Sequence, residues 1–153
     1  DGRGQWRTRQ RMAADEAVWV NLDDKLPDDW SAAVIVAQSD GTSVEVQTES
    51  GERAIVPRAQ AVPRNPEDQD CVPDLAQLIH LSEPCLLHAL AKRYESGHIY
   101  TYTGSILIAL NPWKQVEQLY SPDQLTAYQG AALGTMPPHL FALADAAYRG
   151  LLQ

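Results

Sequence analysis

Little in this chain supports an extracellular, membrane-spanning or metal-centred protein. Only two of the 153 residues are cysteine, Cys71 and Cys85, and neither belongs to a C-x-x-C pair. No disulfide framework is indicated, and a reducing, cytoplasmic compartment is expected. No apolar run approaches the ~20 residues of a membrane span, and no signal peptide is recognisable. His80, His88, His98 and His139 never stand at i, i+4 or at metal-ligand spacing, so they read as surface or core residues. No Gly-x-Ser-x-Gly or Cys–His arrangement marks a nucleophile. The lysines are Lys25, Lys92 and Lys114, and none follows a glycine. A glycine-rich phosphate loop closing on Lys-Ser/Thr is therefore missing from these residues. Glu117, Asp123 and Asp145 are isolated and suit capping or solvent roles. No catalytic residue and no metal ligand is assigned.

Acid is what the chain has in excess, with a net charge of −8 spread unevenly. Residues 12–83 hold fifteen acids against four bases, whereas residues 84–153 balance at four each. The first fourteen residues carry Arg3, Arg7, Arg9 and Arg11 with Gly2 and Gly4 and no structural period. They read as a basic, flexible tail. So acidic a body argues against nucleic-acid binding.

Residues 15–63 read as a small β module. Ala17–Val20, Trp30–Gln38, Ser43–Glu49 and Arg53–Val56 are strand-like, with an acidic loop from Asp23 to Asp29. Asp40-Gly41 and Ser50-Gly51 are turn signals between runs. About five short strands in so few residues suggest an SH3-like barrel. Residues 64–73, with Asn65-Pro66, form a linker. Beyond it the pattern turns helical and then mixed, making the whole α+β. Ser82-Glu83-Pro84 starts a helix with a capping hydroxyl, Leu87, Leu90, Ala91 and Tyr94 line its apolar stripe, and Gly97 closes it. Ser121-Pro122-Asp123-Gln124 is a capping box for a second helix ending near Gly130. A third begins around His139 with Leu140, Ala144, Tyr148 and Leu151 on one stripe. Arg149 on it is expected to pair with a carboxylate in more distant sequence. The chain opens on Asp1 and stops inside this helical pattern, as expected of a fragment of a longer polypeptide.

Two further runs, Ile99–Thr103 and Ile106–Leu110, meet at Gly104-Ser105 and read as one β-hairpin. The first alternates aromatic and hydroxyl side chains, giving an apolar and a wet face. The second is almost wholly apolar, as in a strand covered on both sides. Asn111-Pro112 stops it, because proline lacks the amide hydrogen and restricts the residue before it. A loop leaving the end of a buried strand is a common ligand site.

These words, in order with Asp74–Leu78, His80–Pro84, Leu87–Leu90, Arg93-Tyr94, Tyr128–Gly130, Pro137–Ala142 and Ala144–Arg149, resemble the start of a myosin motor head over residues 74–153. The resemblance implies an SH3-like module followed by the incomplete start of a mixed α/β P-loop motor. It implies that Asn111, Pro112 and Tyr120 contact the adenine of ATP, with Lys114 at the mouth attracting polyphosphate. Trp113 reads as a half-exposed packing residue. The loop is one residue longer than in many members and lacks their second proline, as in some plant-type unconventional members.

In the full-length protein the resemblance implies ATP and Mg²⁺ as cofactors, actin filaments with light chains or calmodulin as partners, and a cytoplasmic, cytoskeletal location. The fragment alone is expected to be inactive and to hold no nucleotide tightly. The competing class is a free-standing SH3- or Tudor-like interaction module with a helical extension. Such modules cluster aromatics to hold proline or a methylated lysine, yet from residue 12 to 70 the only aromatics are Trp19 and Trp30.

Overall fold

The computed structural model describes residues 16–23, 29–39 and 41–152. The expected tail, the centre of the acidic loop and Asp40 of the first turn signal lie outside these residues. The fold is α+β and divides into two compact units, one ending at Arg64 and the other beginning at Asn65.

The first unit is a five-stranded antiparallel sheet in the order β4-β3-β2-β1-β5. Its strands are β1 (Ala17–Asn21), β2 (Trp30–Gln38), β3 (Ser43–Thr48), β4 (Arg53–Pro57) and β5 (Val62–Pro63). Alternation along β3 turns Val44, Val46 and Thr48 inward. Val44 and Val46 join Val18, Val20, Ala33, Val56 and Ala61 in one buried cluster. Gly51 has φ 88°, which a residue with a Cβ adopts only under strain, where β3 turns into β4. The Pro63 strand pairs only at the sheet edge, where a missing donor costs no ladder bond. This sheet is compatible with the SH3-like module expected. Trp19 is buried, with the Arg64 guanidinium 4.7 Å from its ring centre.

The second unit is built around the hairpin β6 (Tyr100–Thr103) and β7 (Ile106–Ala109). Gly104, at φ 59°, makes the turn, and its N–H donates to Asp74 Oδ1 at 3.0 Å. The same carboxylate oxygen accepts from Ala76 N, capping a short 3₁₀ turn over Leu75–Gln77. Tyr102 N–H donates to the Pro73 carbonyl, so this turn runs along the free side of β6. Leu75, Leu78 and Ala89 form the core, with Leu86, Leu90 and Ile108 packed against it.

Helices α1 (Glu83–Glu95), α2 (Pro122–Tyr128) and α3 (Leu140–Leu151) begin near the expected signals, but two expected stripes are corrected. On α1, Leu87 and Tyr94 are exposed, and the buried face is Cys85, Ala89 and Arg93. Small side chains there allow close approach, and the arginine replaces apolar contact with hydrogen bonds. The Ser82 hydroxyl is buried without a partner among the described residues and makes no cap bond. On α3, Leu140, Ala144, Tyr148 and Leu151 are all exposed, while Ala142 is buried. The face carrying Asp145 and Arg149 is tied down instead. Arg149 Nε donates to Asp145 Oδ2 at 2.7 Å, and its Nη2 donates to the Ala131 carbonyl at 2.7 Å. The arginine's partner is thus one helical turn away. Asp145 also accepts from Gly130 N–H, and that bond, ahead of the arginine, holds its carboxyl below the ordinary value.

The expected wet face of β6 is also corrected. Thr101 is only 2% exposed, because its hydroxyl accepts from Arg93 Nε at 2.8 Å. On the partner strand Ile106 and Ala109 are exposed, as expected of a strand that lacks its further sheet neighbours here.

Candidate functional site

The loop after β7 begins with an Asx turn, in which Asn111 Oδ1 accepts from Trp113 N–H at 2.9 Å. That bond braces Trp113 at φ 50°, a left-handed conformation that a bulky side chain rarely takes. Trp113 is 89% exposed, so it is not the half-packed residue expected. Gln118 adopts a second left-handed conformation, at φ 61°. Between these two bends the chain curls over a concavity of about 600 Å³.

Pro112, Lys114 and Tyr120 line that concavity together with Ile99, Val116 and Leu119. Three of the four residues singled out from the sequence are thus brought to one wall. Asn111 is not on it: its side chain is exposed, and its oxygen serves the turn. The volume suits a small molecule, but the lining is half polar: Lys114, Gln115, Glu117, Gln118 and Ser121 share it with the apolar residues.

Tyr120 is held from below. Its hydroxyl shares a 2.7 Å hydrogen bond with the hydroxyl of Tyr100, which β6 supplies from a buried position. Burial first, and that bond second, push the Tyr100 phenol up to about 12. Beside the pair stands His139, 3% exposed, at the N-cap of α3. Its Nδ1 accepts from Phe141 N–H at 3.0 Å, and its Nε2 donates to the Leu119 carbonyl at 2.9 Å. Those two bonds assign the neutral Nε2–H tautomer.

The imidazole stacks on Tyr128 at 5.0 Å and meets Tyr100 edge-on at 5.3 Å. Tyr120 and Phe141 lie at 5.8 and 4.7 Å from it. Burial holds its pKa below the ordinary value, although the Leu119 carbonyl acts the other way. A second concavity, of about 660 Å³, lies on the other side, lined by Arg93, Tyr102, Tyr128 and His139. Ile99 and Leu119 line both cavities.

From the sequence His139 read as an unremarkable histidine. The signal that finds it is its place after Pro137-Pro138, where a helix begins, together with tyrosines at positions 100, 120 and 128. Among the described residues no group of three or more His, Cys, Asp or Glu side chains is placed to hold a metal ion. No described helix is long and apolar enough to cross a membrane.

The sequence model of the family described as Myosin head (motor domain) matches residues 72–153. Myosin-8 of Arabidopsis thaliana is 40% identical over 136 residues, which is 88% of this chain and 9% of that protein. Myosin-2 of Lachancea kluyveri is 44% identical over 110 residues, 72% of this chain and 7% of that protein. Unconventional myosin-VI of Mus musculus is 39% identical over 112 residues, 73% of this chain and 9% of that protein. The chain therefore spans less than a tenth of the length of these relatives.

Proposed function

The chain belongs to the myosin head family, and we propose on that premise that it is the N-terminal piece of an actin-based, ATP-driven motor whose loop after β7 holds adenine. In this reading residues 15–63 are the SH3-like module, 64–73 the linker and 74–153 the first part of the motor domain. The observation that carries the reading is the concavity walled by Pro112, Lys114 and Tyr120. Adenine is flat, with an apolar face and polar edges. Pro112 offers it an apolar surface, and the Tyr120 hydroxyl offers a hydrogen-bonding group. The Asn111 amide precedes Pro112 in the chain, and its NH₂ remains a donor while its oxygen serves the turn. Lys114 brings a positive charge to attract a polyphosphate, against the negative charge of Glu117 on the same lining.

Mg²⁺ would arrive with the phosphates of the nucleotide. In the full-length motor the phosphates and the metal are held by sequence outside these 153 residues, and the fragment alone neither hydrolyses ATP nor binds it tightly. Actin filaments, with light chains or calmodulin, are the partners of the whole protein, and the cytoplasmic cytoskeleton is its place. The experiment is photolabelling of the full-length protein with an azido-adenine analogue of ATP. Label within residues 111–120, removed by excess ATP, is the expected result. ATP-sensitive labelling confined to other segments overturns the assignment of this loop.

A further inference from the structure

The nucleotide loop does not hold its own shape. It carries left-handed, non-glycine residues at Trp113 and Gln118, and such backbone persists only when its surroundings enforce it. Asn111 braces the first of these bends. The second immediately precedes Leu119, and the Leu119 carbonyl is the group to which His139 Nε2–H donates.

We propose that His139 is a positioning residue for nucleotide binding: its bond to Leu119 and its ring contact with Tyr120 hold the Tyr120 hydroxyl where the base is read. The inference rests on the adenine-loop reading above. Three observations on separate elements support it. The imidazole is anchored to α3 by the Phe141 N–H, so the tether to Leu119 is fixed at its far end. Tyr100 pins the Tyr120 hydroxyl from β6 while meeting the same imidazole edge-on. Tyr128, stacked on the other side from α2, is fixed in turn by its hydroxyl donating to the Pro137 carbonyl. One side chain thus joins α3, α2, β6 and the loop.

The tether depends on charge state. A proton added at Nδ1 would point at the Phe141 N–H and break the cap bond, loosening the far end of the tether. The titratable groups facing the ring are the phenols of Tyr100, Tyr120 and Tyr128. The nearby Tyr102 phenol is raised by burial and opposed by the His139 backbone amide. No carboxylate or cation is among its hydrogen-bond or ring partners within the described residues. The neutral form is therefore favoured by burial, in the direction already noted, and by the Phe141 N–H bond to Nδ1.

The test compares affinities of the full-length motor for ATP and for tripolyphosphate, which has phosphates but no base. His139→Asn keeps an acceptor suited to the helix cap but is too short to reach Leu119. It is expected to weaken ATP about two- to tenfold, the worth of one hydrogen bond, and to leave tripolyphosphate unchanged. Equal weakening of both ligands, or of neither, overturns the proposal. If the variant does not fold, the wild type still decides. Its ATP-to-tripolyphosphate affinity ratio is expected to fall as pH drops below about 6.5, the ordinary histidine value, and a flat ratio down to the onset of acid unfolding overturns the proposal. Asn111→Ala and Tyr120→Phe run alongside. If they too leave the ratio unchanged, the adenine-loop reading itself has failed. If they shift it and the His139 arms do not, only the positioning role falls.

Discussion

The hydroxyls of Tyr100 and Tyr120 lie 2.7 Å apart, one on a buried strand and the other on the wall of the candidate nucleotide site. The exposed ring thus takes its orientation from the core. Tyr120→Phe keeps the ring and deletes the bond, so the Tyr100 phenol should titrate lower than its present value of about 12. It should stay above the ordinary ~10, because burial is the larger cause of the shift. A raised phenol pKa favours the folded state fully below about pH 10, and that contribution is lost as pH rises through about 12. Ultraviolet-difference titration of wild type and variant checks this, and an unmoved last phenolate step would show that the bond does not shape the titration.

Arg93 is 4% exposed and makes three hydrogen bonds to neutral acceptors: Thr101 Oγ1 at 2.8 Å, Tyr100 O at 2.7 Å and Cys71 O at 3.1 Å. It fastens α1 to the edge of β6 along which Pro73 and Asp74 also run. Arg93→Met should destabilise the second unit by on the order of 3 kcal/mol, because buried acceptors are left unpaired. Arg93→Lys should recover only part, since an ammonium lacks the planar fork that spans acceptors in different directions. Urea unfolding followed by circular dichroism measures both. A loss of less than about 0.5 kcal/mol for Arg93→Met, within the range of ordinary surface changes, would remove the arginine from the framework.

The local rules were legible where one residue decides the backbone. Gly104 marked the hairpin turn, Ser121 the α2 cap, and the valines of β3 the inward face. They were not legible where a buried face is built from polar or small groups. Cys85, Ala89 and Arg93 give no apolar period, so Leu87 and Tyr94 drew the eye to the wrong side of α1. Thr101 looked like a wet position because its hydroxyl has no visible partner in the sequence; the partner is Arg93, a turn of helix and a loop away. In the candidate site, Pro112, Lys114 and Tyr120, which line one concavity, were singled out by resemblance. His139 was not, because a histidine's role depends on what its two nitrogens meet.

The two sheets should differ in protection from hydrogen exchange. In the first unit, β2 and β3 are paired on both sides. In the second, β7 pairs only with β6, and Ile106 is 65% exposed. Backbone bonds at an exposed edge open locally at far lower free energy than those between two neighbours. Amides of Val34–Val36 and Val44–Val46 should therefore exchange more slowly than those of Ile106–Leu110 in the 153-residue chain. Equal protection would mean that the hairpin is self-sufficient as it stands.

Asn111 has two roles open to it, and its two side-chain heteroatoms separate them. The oxygen accepts from Trp113 N–H and holds the first left-handed bend of the loop. The NH₂ is the group left to meet a base. Asn111→Ala removes both. In the full-length motor it should weaken ATP by roughly three- to a hundredfold, as expected when a neutral bond is lost and its partner is left unpaired. Discrimination between ATP and GTP should narrow with it. On the adenine-loop proposal the γ-phosphate step should change far less, because the side chain would meet only the purine end. Asn111→Asp keeps an oxygen for the Trp113 amide but loses the donor, while adding a charge that repels phosphate. Dividing ATP affinity by tripolyphosphate affinity takes out that repulsion. If the amide reads the base, the ratio for the aspartate variant falls as far as for alanine. If Asn111 only shapes the turn, aspartate restores the ratio to wild type, and the base-reading role passes to Tyr120 alone.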